Sequence, residues 1–241
     1  MIDGPLCAMA IASFEPLLIP HYTGCEYKQL ERTLVTYDPT IFDVGSMEQA
    51  QWVALRPDGV RPPEEFWGLE TDYLMEIVDA YLPPRDATAL DFGCGPGRLA
   101  KPLIERKNWS VLGVDISPII AAFATEYVKS EQFLVCNPNT FDQLLRFGVR
   151  ADFALAIWVL QHCPRLDEDI ARIKAALKPG GRLLVLNACR RFVPTQEQRW
   201  IDDGIDVWGL LQKHFLLLRN EQPDASVVPP GRALWGVYER R

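Results

Sequence analysis

The sequence predicts a doubly wound α/β fold, and three observations carry that prediction. Five short apolar runs, Thr88–Phe92, Val111–Val114, Phe133–Cys136, Phe153–Ile157 and Leu183–Leu186, have the length and residue types of buried strands. Between them, Arg98–Lys107, Ile119–Val128, Phe141–Phe147 and Asp169–Leu177 have the length and spacing of helices. Such alternation demands a parallel sheet, because each crossover helix must lie on one of its faces. Third, a glycine-rich turn joins the first strand directly to a helix.

The elements follow in order. Residues 1–64 read as an irregular N-terminal cap or lid: prolines at 5, 16, 20, 39, 57, 62 and 63 leave room only for short elements, with Tyr27–Tyr37 a candidate helix. The stretch is too aromatic for a disordered linker, so it is expected to pack on something. Its apolar start carries Asp3 and Glu15 and has no Lys or Arg before residue 28, so it is read as mature chain rather than a signal peptide. From Glu65, Leu69, Tyr73, Ile77 and Ala80 mark an amphipathic helix stopped by Pro83 and Pro84. Residues 85–187 then form the α/β core. Beyond it, Ile205–Phe215 reads as a helix, while Leu216–Leu218 and Ala233–Tyr238 read as strands joined without a helix, hence antiparallel. The domain division is therefore 1–64 and 65–241.

Composition removes several function classes. The chain has 241 residues, 25 Lys and Arg against 32 Asp and Glu, and a net charge of −7, so a basic nucleic-acid footprint is absent. The longest apolar run, Phe153–Leu160, is far short of the ~20 residues of a membrane span. Six cysteines lie far apart, with no CxxC pair and no zinc-finger spacing; free thiols in a reducing cytoplasm, and no metal, are expected.

The strongest motif is Ala89-Leu-Asp-Phe-Gly-Cys-Gly-Pro-Gly-Arg-Leu99. Gly93, Gly95 and Gly97 let the backbone turn tightly and approach a nucleotide-like ligand at a helix N-terminus. The spacing is G-x-G-x-G rather than the dinucleotide G-x-G-x-x-G. Asp91 would repel a pyrophosphate but suits a cationic amino-acid moiety. Asp115, 22 residues beyond Gly93, ends the second strand, where an acid can accept both hydroxyls of an adenosine ribose.

With these residues the chain resembles the class I S-adenosylmethionine-dependent methyltransferases of the bacterial small-molecule type. Four blocks carry the resemblance in order: LDFGCGPGR (90–98), VLGVDIS (111–117), ADFALAIWVLQHCP (151–164) and LKPGGRLLVL (177–186). The resemblance implies a seven-stranded Rossmann-like sheet with six parallel strands and an antiparallel last one. It also implies S-adenosyl-L-methionine as cofactor, with Gly93, Gly95 and Gly97 on its methionine part, Asp91 at the amino group, Asp115 on the ribose and Ile116 against adenine. Where an acid often reaches the adenine amino group, this chain has Asn137, whose amide oxygen can accept the same bond.

The acceptor side is less explicit. Trp158 is a candidate cofactor-pocket wall, and His162 a candidate general base. Arg190 and Arg191 are candidates for a carboxylate or phosphate on the substrate. Trp67 and Tyr73 read as core or as a cover for the sulfonium, and Lys178-Pro-Gly-Gly181 as a helix-terminating turn. The resemblance implies methyl transfer at oxygen or nitrogen of a small-molecule or glycan- or lipid-linked acceptor. A non-catalytic S-adenosylmethionine-binding domain and an NAD(P)-dependent oxidoreductase are the alternatives.

Overall fold

The computed structural model describes residues 36–55, 63–82, 86–196 and 200–241. Seven strands, β1 (Thr88–Phe92), β2 (Ser110–Val114), β3 (Phe133–Cys136), β4 (Ala151–Ile157), β5 (Leu177–Ala188), β6 (Leu216–Glu221) and β7 (Ala233–Glu239), form one sheet in the order β3-β2-β1-β4-β5-β7-β6. β7 runs antiparallel to both β5 and β6, and the other neighbours are parallel. The helices are α1 (Met47–Leu55), α2 (Pro63–Tyr81), α3 (Ala100–Lys107), α4 (Pro118–Val128), α5 (Pro138–Arg146), α6 (Leu166–Ala176) and α7 (Val207–His214).

Strand periodicity sorts the core onto two faces. In β4, Phe153, Leu155 and Ile157 join Leu74, Leu103 and Trp109 on one face, while Ala154 and Ala156 join Leu90, Phe141 and Ile170 on the other. Each fully buried Leu or Phe contributes about 1.5–3 kcal/mol, so both layers are firmly held. Strand order reverses between β1 and β4, and in such sheets a crevice opens beyond the strand ends at that point.

Local chemistry sets the helix starts that face this crevice. Ser117 caps α4 by accepting the Ile120 N–H, and Asn137 caps α5 by accepting the Thr140 N–H, each followed by proline in the first turn. One expectation is corrected. Lys178–Gly181 lies inside β5, because α6 already ends at Ala176. The Gly180 N–H donates to Arg240 O and the Arg240 N–H to Gly181 O, both at 2.8 Å, so the segment is a strand irregularity rather than a helix stop.

The described part of the expected cap joins the same compact unit as the sheet. Tyr37 bridges Thr195, the Asp38 N–H donates to Pro194 O at 3.0 Å and the Gln196 N–H to Thr36 O at 2.9 Å. Val44, Ala50 and Ile120 form a small apolar cluster between this segment and α4. Most of the expected helix Tyr27–Tyr37, the N-terminal residues read as mature chain, and Cys7 and Cys25 lie outside the described residues. Among the described residues, no helix is long and apolar enough to cross a membrane, and no His, Cys, Asp and Glu cluster could hold a metal.

Candidate functional site

The glycine turn is fixed by β2: the Gly93 and Cys94 N–H groups both donate to Val114 O, at 2.7 and 3.1 Å. Its glycines do different work. A Cβ on Gly93 would stand 2.4 Å from Val159 Cγ2 and one on Gly97 2.6 Å from Val128 Cγ2, at φ of +74° and +83°. Those two allow packing. Gly95 faces open space on the cleft, where backbone can meet a ligand, whereas Gly97 is not among the residues lining the cleft.

Two carboxylates meet at this turn. Asp115 accepts the Gly95 N–H on Oδ2 and the Ser117 N–H on Oδ1, each at 2.9 Å, so its orientation is fixed at the end of β2. Burial raises its pKa, against the pull of those backbone donors. Asp91 is 3% exposed and its Oδ2 has no hydrogen-bond partner. Burial pushes its pKa up to about 7; the Arg98 charge pulls it down and the Asp115 charge adds to the rise.

A buried network stands behind Asp91. Arg98 donates to Glu70 Oε1 at 2.6 Å and to Thr71 Oγ1 at 3.2 Å, and Glu70 is 1% exposed. Trp158 Nε1 donates to both Glu70 oxygens at 2.9 Å, which holds Trp158 at the cleft in a left-handed conformation, φ +57°. Glu70 and Arg98 were not singled out from the sequence; an acid and a base 28 residues apart carry no local signal of pairing. Trp67 is buried against Tyr127 and Arg98 and Tyr73 packs on the core, and neither lines the cleft.

The turn after β4 bears His162 on the same cleft. Its Nδ1 lies 2.6 Å from Phe192 O, a contact that requires the proton on Nδ1. Its Nε2 lies 3.1 Å from Gln161 Nε2. Gln161 is itself held, since its Oε1 accepts the Ala188 N–H at 2.7 Å while its own N–H donates to Asn187 Oδ1 at 3.0 Å.

Arg191 is corrected as a substrate ligand. It is 1% exposed, and its guanidinium is spent on Leu160 O, Cys163 O and both oxygens of Asp203. Arg190 is exposed and does not line the cleft. Asn137 spends its amide oxygen on the Thr140 N–H at 2.9 Å, and Pro138, not Asn137, lines the cleft. Ile116 does line it, 46% exposed.

Another wall comes from the segment before α2: Tyr37, Phe42, Ala50 and Val53 line the cleft. Burial pushes the Tyr37 phenol up to about 12, with the charges of Cys163, Asp169 and Asp115 adding to the rise. The Phe42 ring meets the His162 ring edge-on at 5.6 Å, and Trp200 lies 5.2 Å from His162. The cavity volume of this cleft is about 200 Å³.

The residues suit a nucleoside with a cationic amino-acid tail. Asp91 offers a buried carboxylate oxygen with no partner, Gly95 leaves open space beside a backbone whose N–H is held by Asp115, and Asp115 offers a fixed acid at the end of β2. Fold and cleft together define an α/β protein that binds such a ligand at the switch point of its sheet. A family profile described as Methyltransferase domain matches residues 90–183. The ubiquinone biosynthesis O-methyltransferase of Chelativorans sp. (strain BNC1) is 30% identical over 193 residues, 71% of this chain and 76% of that protein. Its counterpart in Agrobacterium fabrum is 25% identical over 219 residues, 83% of this chain and 84% of that protein. The structure of magnesium protoporphyrin IX methyltransferase from Synechocystis PCC 6803 with bound S-adenosylhomocysteine superposes with a TM-score of 0.59 at 16% identity, over 83% of this chain and 97% of that one, and shows the shared fold. The chain belongs to the class I S-adenosylmethionine-dependent methyltransferases, and its cofactor is S-adenosylmethionine.

Proposed function

We propose that the protein methylates a hydroxyl oxygen, or alternatively a nitrogen, of an uncharged small molecule bound between the cap and the turn after β4. One observation carries this reading: Asp91, with its partnerless oxygen, and His162 line a single cleft whose far wall is the apolar cap. The cleft's cation, Arg98, is paired with Glu70, and Arg191 is spent inside the fold, so an anionic acceptor finds no open partner in them. The O-methyltransferase names of the relatives support oxygen.

When bound, S-adenosylmethionine supplies an electrophilic methyl carbon on a cationic sulfur. Asp91 would face its ammonium group, Gly93 and Gly95 its methionine portion and Asp115 its ribose hydroxyls, with Ile116 on the adenine face and Trp158 as a wall. Gly97 supports the turn from behind. The remaining task of the chain is to hold the acceptor's lone pair in line with the carbon–sulfur bond and to exclude water. Phe42 and Val53 supply the apolar cover. An acceptor hydroxyl that displaces the Gln161 N–H from His162 Nε2 would give its proton to that nitrogen as its oxygen bonds to the methyl carbon, while the carbon–sulfur bond breaks and its electron pair leaves with the neutral thioether sulfur of S-adenosylhomocysteine.

In this reading residues 1–64 are the cap and 65–241 the catalytic domain; the pairing of 36–38 with 194–196 supports a cap that closes the acceptor side. Free thiols at Cys94, Cys136, Cys163 and Cys189 support a reducing, cytoplasmic setting. Incubation with methyl-labelled cofactor and a metabolite extract tests the function: label is expected in a small uncharged product. Binding of NAD with no binding of S-adenosylhomocysteine would sink it, and cofactor binding with no labelled product would favour a non-catalytic domain.

A further inference from the structure

The turn after β4 and the segment after β5 are joined by polar bonds that a packing role alone does not require. Arg191, 1% exposed, reaches two carbonyls of that turn, Leu160 O and Cys163 O, and closes a two-bond fork on Asp203 at 3.1 and 3.0 Å. The next residue, Phe192, gives its N–H to Gln161 O at 2.9 Å and takes the His162 Nδ1 proton on its own carbonyl at 2.6 Å. Arg191 thus fixes both ends of the turn and the acceptor atom that decides which His162 nitrogen carries the proton. Buried ion pairs are often replaceable by apolar residues without loss of stability, so their use here points to geometry rather than to stability. The planar fork of Arg, unlike the point charge of Lys, can serve two carbonyls and a carboxylate at once.

We propose that Arg191, neutralised by Asp203, is a positioning residue for methyl transfer: it holds the turn after β4 so that His162 presents an unprotonated Nε2 to the acceptor. This rests on the reading that the acceptor lies beside His162. The partner charge facing the guanidinium is Asp203; the Arg191 charge also reaches the Cys163 thiol, which is hydrogen-bonded to Asp169, and Asp169 is paired with Arg172.

The test uses the full chain and the variants R191K, R191M and D203N, read by three measurements. The chain has 3 histidines, so the ring nitrogens of His162 are assignable by 15N spectra with H162Q as control. Wild type is expected to show one protonated and one bare ring nitrogen. R191M and D203N are expected to average the two and to slow label transfer by on the order of 10²-fold, as a misplacement of about 1 Å does. R191K recovers part of both. Calorimetric affinity for S-adenosylhomocysteine stays within about threefold, because the cofactor shares no direct partner with Arg191. Should R191M fail to fold, R191K and D203N carry the same readings. The proposal is overturned if folded variants keep the wild-type His162 pattern, or if cofactor affinity falls in step with transfer. A wild type that transfers no label defeats the acceptor reading instead, while the nitrogen spectra still judge Arg191.

Discussion

The two halves of the cleft are built in opposite ways. The half proposed for the cofactor is local: Asp91, Gly93, Gly95, Asp115 and Ile116 come from the ends of two adjacent strands and the turns that leave them. The half proposed for the acceptor draws on residues 36–53, the turn after β4 and residues 187–196 and 200–203; side-chain bonds spanning 12 to 31 residues tie the last two, and backbone pairing ties in the first. Local construction gives a rigid, recognisable ligand cradle, whereas construction from distant segments leaves each contact free to vary with the acceptor.

The difference can be broken or sharpened by substitution. The largest effect is expected from Asp115→Ala, which removes the proposed ribose acceptor and also strands the Gly95 and Ser117 N–H groups. Hydrogen bonds to a charged group contribute about 1.5–3 kcal/mol each, so S-adenosylhomocysteine affinity should fall at least ~100-fold by calorimetry. Gly93→Ala tests whether the halves are separable at all: its Cβ would strike Val159, which belongs to the turn bearing His162. Strain at φ +74° plus that clash should lower stability by about 1–3 kcal/mol in denaturant unfolding and disturb both halves.

A smaller, pH-borne effect belongs to the cofactor half alone. Only ionised Asp91 can pair with an ammonium group, and burial, opposed by Arg98 and aided by Asp115, sets its pKa at about 7. Cofactor affinity should therefore be flat above pH 7 and fall about tenfold per unit below it, with proton release on binding. In Asp91→Asn that slope should vanish. The same raised pKa means the ligand-free protein loses stability as pH rises from about 4, the unfolded value, to about 7. The smallest effect is expected from Asp38→Ala, which removes the cap of the exposed turn Pro39–Phe42. It should lower the denaturant midpoint only slightly and leave cofactor affinity unchanged by calorimetry.

The same contrast explains what the sequence disclosed. β1 to β4 announced themselves as apolar runs, and the antiparallel tail followed from two strands with no helix between them. Asp91 and Asp115 were placed on the cleft from sequence because the chemistry proposed for them depends on their place near strand ends. Asn137 was placed correctly at the end of β3, yet its oxygen goes to the α5 cap, a competition that Asn-Pro at a helix start always poses. Arg191 looked like a loop cation because nothing local reveals Asp203 or the two carbonyls that surround it. Glu70 was hidden for the same reason: its partners, Arg98 and Trp158, arrive only when the sheet brings α2 beside the strand ends.

Calorimetric titration of S-adenosylhomocysteine into wild type, H162Q and D115A tests the division most directly. Equal affinity for wild type and H162Q, with binding lost in D115A, is the expected result. Binding retained in D115A, or lost in H162Q, would contradict a cleft in which one half holds the cofactor and the other presents the acceptor.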